Sequence, residues 1–73
     1  MKKVFVMEDL DCANCAAKME DAIRKLEGVT YVSISFMAQR MTLEAEDTLF
    51  DKVVKDAAKA IKRVDPDCRL IVK

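Results

Sequence analysis

The sequence predicts an α+β domain with the element order βαββαβ, and three observations carry that prediction. Short stretches alternate apolar and polar residues with the two-residue period of a strand. Two longer stretches repeat their apolar residues at helical spacing. Stop and turn residues, Gly28 and the Asp65-Pro66-Asp67 run above all, punctuate them. Two split βαβ units interlocked in this order give a four-stranded antiparallel sheet with both helices on one face.

Each element follows from its own residues. Residues 2–8 alternate and are rich in Val and Phe, as a strand requires. Residues 13–26 read as a helix, with Met19, Ala22, Ile23 and Leu26 along one face, and Gly28 is its stop. Residues 29–37 alternate again, with Val32, Ile34 and Phe36 on one face, and Ala38-Gln39-Arg40 is a short turn. Residues 41–45 alternate a third time, Met41, Leu43 and Ala45 pointing inward. Thr48 with Asp51 resembles a capping box. The second helix then runs to about Arg63, with Leu49, Val53, Ala57 and Ile61 at helical spacing and basic residues in its last turns, where the dipole favours them. Residues 68–73 form the last strand. With strands one and two parallel and strand three running back, three connections share one end of the sheet. They are the loop after strand one, the 38–40 hairpin and the 65–68 loop.

Composition limits what such a chain does. Its 73 residues predict one small domain with one core, residues 1–73, near the lower size limit for folding without staples. A hydrophobic content of 52% argues against disorder. Thirteen basic and thirteen acidic residues cancel, so nothing draws the chain to nucleic acid or an anionic membrane. No apolar run approaches the roughly 20 residues of a membrane span, and the apolar run after Met1-Lys2-Lys3 is too short for a signal peptide. The expected location is the cytosol. Three cysteines are an odd number for a disulfide scaffold and fit reduced thiols. The chain has no His, the usual general base and the commonest zinc ligand.

The chemistry therefore falls to Asp11-Cys12-Ala13-Asn14-Cys15, at the switch from the first strand to the first helix. Two cysteines two residues apart can bring both sulfurs onto one ion, at about 2.3 Å each for zinc. A helix N-terminus lowers thiol pKa and favours the thiolate, which is the ligand form. The same spacing serves thiol–disulfide exchange, but the flanking aromatic and proline residues common in such motifs are missing.

The chain resembles the heavy-metal-associated domain, the ferredoxin-like module of soft-metal chaperones and metal-transporting P-type ATPases. Leu10-Asp11-Cys12-Ala13-Asn14-Cys15 is similar to that family's GMxCxxC, and Leu26-Glu27-Gly28-Val29 after the helix supports the likeness. The resemblance implies that Cys12 and Cys15 bind metal and that the domain delivers or senses it, with no catalysis of its own. Asp9 stands where the family usually has Gly, Leu10 where it usually has Met, and Asp11 replaces the usual Thr or Ser. Asp-Cys-x-x-Cys resembles the branch that exports zinc, cadmium and lead. Two thiolates alone suit Cu(I), whereas Zn(II) prefers four ligands and accepts carboxylate oxygen. Asp11 would supply a third ligand; its alternative role is to cap the helix.

Pro66 aligns where copper chaperones of the family tend to carry Lys or Tyr, and the surrounding loop looks like the Glu-Pro loops of cadmium ATPase domains. Asp65 is a candidate fourth ligand against a plain turn role. Cys68 reads as a small core residue, with membership of the metal site or oxidative crosslinking as the sharper alternative. Met7, Met19 and Met41 fall on core faces and read as packing. The expected cargo is Zn(II), Cd(II) or Pb(II), with Cu(I) as the alternative. The expected partners are the remainder of a membrane metal-transporting ATPase or a soluble protein with Cys ligands, and an exposed site allows a metal bridge between two copies. An RNA-recognition module shares the βαββαβ order, but residues 41–47 lack its stacking aromatics and are acidic.

Overall fold

Alternation along the first strand sets the architecture. In a computed structural model, which describes residues 1–71, β1 (Lys2–Glu8) buries Phe5 and Met7 and leaves Val4 and Val6 exposed. One face of the strand is covered and the other is open. β2 (Val29–Ser35) and β3 (Arg40–Ala45) repeat the pattern, with Val32, Met41, Leu43 and Ala45 on the covered side. The strands pair antiparallel in the order β2-β3-β1-β4, where β4 is Arg69–Ile71. The expected four-stranded antiparallel sheet with two helices on one face is therefore present.

The helices α1 (Ala13–Arg24) and α2 (Phe50–Val64) cover that face. Met19 and Ile23 from α1 meet Val53, Ala57 and Ile61 from α2 over the sheet in one apolar cluster. Phe50 at the start of α2 stacks on Phe5, ring centroids 6.3 Å apart. Each such large side chain contributes roughly 1.5–3 kcal/mol relative to leaving it in water. Glu20 of α1 also accepts from the Ile34 N–H of β2, an edge strand, at 3.1 Å. That bond occupies a donor that a foreign strand would otherwise find.

Several predicted boundaries move, each for a local reason. The first helix ends at Arg24 rather than Leu26, because the Leu26 N–H bonds the Ile23 carbonyl in a tighter turn. The chain then reverses at Gly28 with φ 93, where an added Cβ would lie 2.9 Å from Leu49 Cδ1. β2 stops at Ser35, two residues before Met37, and β3 begins one residue early, at Arg40. The Thr48–Asp51 capping box does not form. Thr48 lies inside a 3-10 turn (Asp47–Leu49) closed by the Leu49 N–H on the Glu46 carbonyl, and α2 starts at Phe50 without a side-chain cap. Cys68 precedes β4 instead of opening it, and the predicted positions 72 and 73 lie outside the described residues.

Candidate metal centre

The three connections predicted to share one end do so. β1 and β4 pair Glu8 with Arg69, and β1 and β3 pair Val6 with Arg40. The loop after β1, the hairpin between β2 and β3, and the turn after α2 therefore meet at the same edge of the sandwich.

The loop after β1 is shaped residue by residue. Asp9 adopts φ 61, a left-handed conformation that Asp tolerates better than most residues. This is the position where the resembled family usually has Gly, which enters that region freely. The turn drives the Leu10 side chain into the core, where it is 1% exposed. Asp11 emerges exposed, and Cys12 follows in an extended conformation as the N-cap of α1, so the cap role considered for Asp11 belongs to Cys12.

Cys12 Sγ accepts the Cys15 N–H at 3.3 Å, and the Cys12 carbonyl accepts the Ala16 N–H at 3.0 Å. Both cysteines are half-buried. They do not point apart: the neighbouring Cys15 side chain pulls the Cys12 pKa below the ordinary thiol value, and the Cys12 side chain pushes that of Cys15 above it. Main-chain N–H groups of Cys15 and Asn14 assist Cys12, and burial adds to the rise at Cys15. No acidic residue occupies the first turn of α1, so the helix itself sets no charge against its positive end. Both sulfurs would bind a soft cation as thiolates, with loss of the protons they carry.

The turn after α2 brings Asp65 to the same corner. Its carboxylate accepts the Asp67 N–H at 3.1 Å, and its carbonyl accepts the Cys68 N–H at 3.1 Å. Its charge reaches Cys12, Cys15 and Cys68, opposing ionisation of all three. Pro66 is exposed. Cys68 is 0% exposed and belongs to the apolar core, with its pKa raised first by burial and then by Asp65 and Asp9. Met7, Met19 and Met41 are core residues, as expected. Among the described residues, no three Cys, Asp or Glu side chains are gathered closely enough to hold an ion together. Cys12 and Cys15 are brought together; Asp11 and Asp65 stand at the corner without closing on them.

One residue of this corner escapes a reading of the sequence for ligands. Gln39, at the hairpin tip, bonds the main chain of Leu10 through its side-chain amide. A signal for it exists: the Ala38-Gln39-Arg40 turn has no Gly or Asn, yet Gln39 takes φ 55. A residue in that conformation without the usual side chain for it needs something to hold it there.

Comparison with known proteins agrees with this geometry. The model of the heavy-metal-associated domain family matches residues 4–65. The chain is 30% identical over 66 residues to a cadmium, zinc and cobalt-transporting ATPase of Bacillus subtilis (strain 168), covering 90% of this chain and 9% of that protein. It thus spans under a tenth of the length of the curated relatives it matches. Among solved structures, it is similar to the N-terminal domain of ZntA in the Zn(II) form, with TM-score 0.70, 26% identity, and 96% and 88% of the two chains covered. It is also similar to the N-terminal domain of a potential copper-translocating P-type ATPase from Bacillus subtilis in the Cu(I)-loaded state. That match has TM-score 0.76 and 28% identity, and covers 99% and 85% of the chains. No helix among the described residues is long and apolar enough to cross a membrane.

Proposed function

Because the chain belongs to the heavy-metal-associated domain family, we propose that it carries one soft divalent ion between the sulfurs of Cys12 and Cys15. The ion is zinc, cadmium or lead, an oxygen of Asp11 completes part of its coordination, and its destination is a metal-exporting P-type ATPase. The observation that carries this reading is the hydrogen-bonded thiol pair at the positive end of α1, with an exposed carboxylate one residue before it. Relatives named for cadmium and zinc transport support the choice of metal.

The chemistry is ligand exchange. The Cys12 thiolate is the first ligand, and the Cys15 thiol becomes the second by giving up its proton, so uptake weakens as pH falls. Zinc prefers four ligands and accepts carboxylate oxygen, which gives Asp11 its role and leaves a position for Asp65, water or a partner's thiolate. An ion at an exposed corner leaves by stepwise replacement of its sulfurs. The receiver is the rest of a membrane ATPase or a soluble partner with cysteine ligands at the cytosolic face. A second copy of this domain could accept the ion by the same route, giving a metal-bridged pair.

A second reading, Cu(I), draws on one observation. Among the described residues, two sulfurs come together without a third acidic or thiol group, and a pair of thiolates alone suits low-coordinate copper. Competition against chelators of known affinity, on the reduced protein and Asp11→Ala, separates the two. Under the zinc reading, Asp11→Ala lowers Zn(II) affinity by at least about tenfold and leaves Cu(I) affinity unchanged. Unchanged zinc affinity would remove Asp11 from the site and favour copper.

A further inference from the structure

A single side chain ties the metal loop to the β2–β3 hairpin. Gln39 donates from Nε2 to the Leu10 carbonyl at 2.5 Å and to the Phe36 carbonyl at 2.9 Å, while its Oε1 accepts the Leu10 N–H at 3.0 Å. Its own carbonyl accepts the Met7 N–H at 2.8 Å. One residue thus holds both main-chain polar groups of Leu10 and also fixes Met7, on the other side of Glu8-Asp9. Gln39 and Asp9, the residue just before Leu10, both adopt left-handed backbone conformations, φ 55 and φ 61. Neither position carries the glycine that would make that conformation easy, so the network maintains it.

The consequence lies two residues further on. Cys15 is carried by α1, but Cys12 is the residue where the helix begins, and its chain enters from Leu10 through Asp11. Whether the Cys12 sulfur stays beside Cys15 depends on what fixes that entry. The Leu10 side chain anchors it from below by burial, and Gln39 anchors its peptide groups from the hairpin.

We propose that Gln39 is a positioning residue for metal binding, its amide fixing the peptide from which the Asp11-Cys12 segment springs and so slowing release of the ion. The inference rests on Cys12 and Cys15 being the ligands. Groups that orient ligands without touching the metal typically change affinity by about 10–100-fold, and loss of such preorganisation appears chiefly in the dissociation rate.

Two substitutions separate positioning from plain stability. Gln39→Asn suits the left-handed backbone better than Gln but is a methylene too short to hold both Leu10 groups. Gln39→Met keeps the length and loses the amide. Thr30→Val is the control: it removes a side-chain bond to the Glu44 carbonyl, 3.0 Å, at the opposite end of the sheet. The measurements are hydrogen exchange of the Leu10 N–H in metal-free protein and the rate of Cd(II) release into excess chelator. Both Gln39 variants are expected to exchange Leu10 faster and to release Cd(II) about tenfold faster or more, while Thr30→Val does neither. Should one variant not fold, the other decides. Wild-type release rates in the Gln39 variants overturn the inference, as does equal acceleration in Thr30→Val. Should the wild-type protein take up no Cd(II), the ligand assignment fails and this inference fails with it. Uptake by the wild type with no change in the variants overturns the positioning role alone.

Discussion

Three cysteines of this chain occupy two regions that treat the same side chain in opposite ways. Cys12 and Cys15 sit half-exposed where a loop held by main-chain and amide hydrogen bonds enters α1, and one thiol assists ionisation of the other. Cys68 sits fully buried in the apolar core, where burial suppresses ionisation. The difference teaches that a thiol's chemistry here comes from its neighbours. The corner offers N–H donors and a helix terminus, whereas at Cys68 burial outweighs the rest. Cysteine count alone would have ranked the three as equals.

The comparison is broken most forcefully from the core side. Leu43→Ala, at a 0% exposed position, should cost about 2–5 kcal/mol in denaturant unfolding. Its folded fraction should still bind one Cd(II) per chain, because the corner does not depend on that side chain. A loss of less than 1 kcal/mol, on the order of a surface change, would mean that the sandwich is not the source of stability.

Cys68→Ser sharpens the contrast next. A hydroxyl in that fully buried site loses its water, at a cost of roughly 1–3 kcal/mol, with metal stoichiometry unchanged. Loss of metal binding with the fold intact would instead move Cys68 into the site. The same thiol has a pH signature. Its raised pKa means that the unfolded chain ionises first. Its contribution to stability is thus full below the ordinary thiol range and fades as pH climbs through the raised value. Thermal melts on the alkaline side should show the decline in wild type and a weaker one in Cys68→Ala.

Gly28→Ala tests whether the turn that ends α1 belongs with the core. Its φ of 93 and the 2.9 Å approach to Leu49 Cδ1 predict a loss of roughly 1–2 kcal/mol by denaturant titration. Any stabilisation would contradict the left-handed turn.

The smallest effect separates the thiols themselves. In pulses of iodoacetamide at rising pH, read by peptide mass, Cys12 should be alkylated first, at a pH below the ordinary thiol range. Cys15 should follow above it, and Cys68 should react only with global unfolding. Cys15 reacting before Cys12 would contradict the opposite shifts of the two thiols.

The two regions also differ in how far the sequence announces them. The core is legible because burial repeats with the element: Met41, Leu43 and Ala45 alternate, and Val53, Ala57 and Ile61 recur at helical spacing, and all are buried. The topology that joins three distant loops follows from element order alone. The Cys12–Cys15 pair is legible from spacing and position. The details that organise it are not, because they rest on hydrogen bonds between residues far apart in the chain. Gln39 reaches Leu10 across 29 positions, and no local pattern encodes that. Thr48 failed as a cap for a related reason: a main-chain turn closed by Glu46 took over the start of α2.

Whether Cys12 and Cys15 jointly hold one soft ion is decided by a Cd(II) titration of the fully reduced, folded protein. Cadmium–thiolate charge-transfer absorption should rise to a plateau at one ion per chain and be absent from the Cys12→Ser, Cys15→Ser double variant. No absorption in the wild type, or the same plateau in the double variant, would contradict the claim.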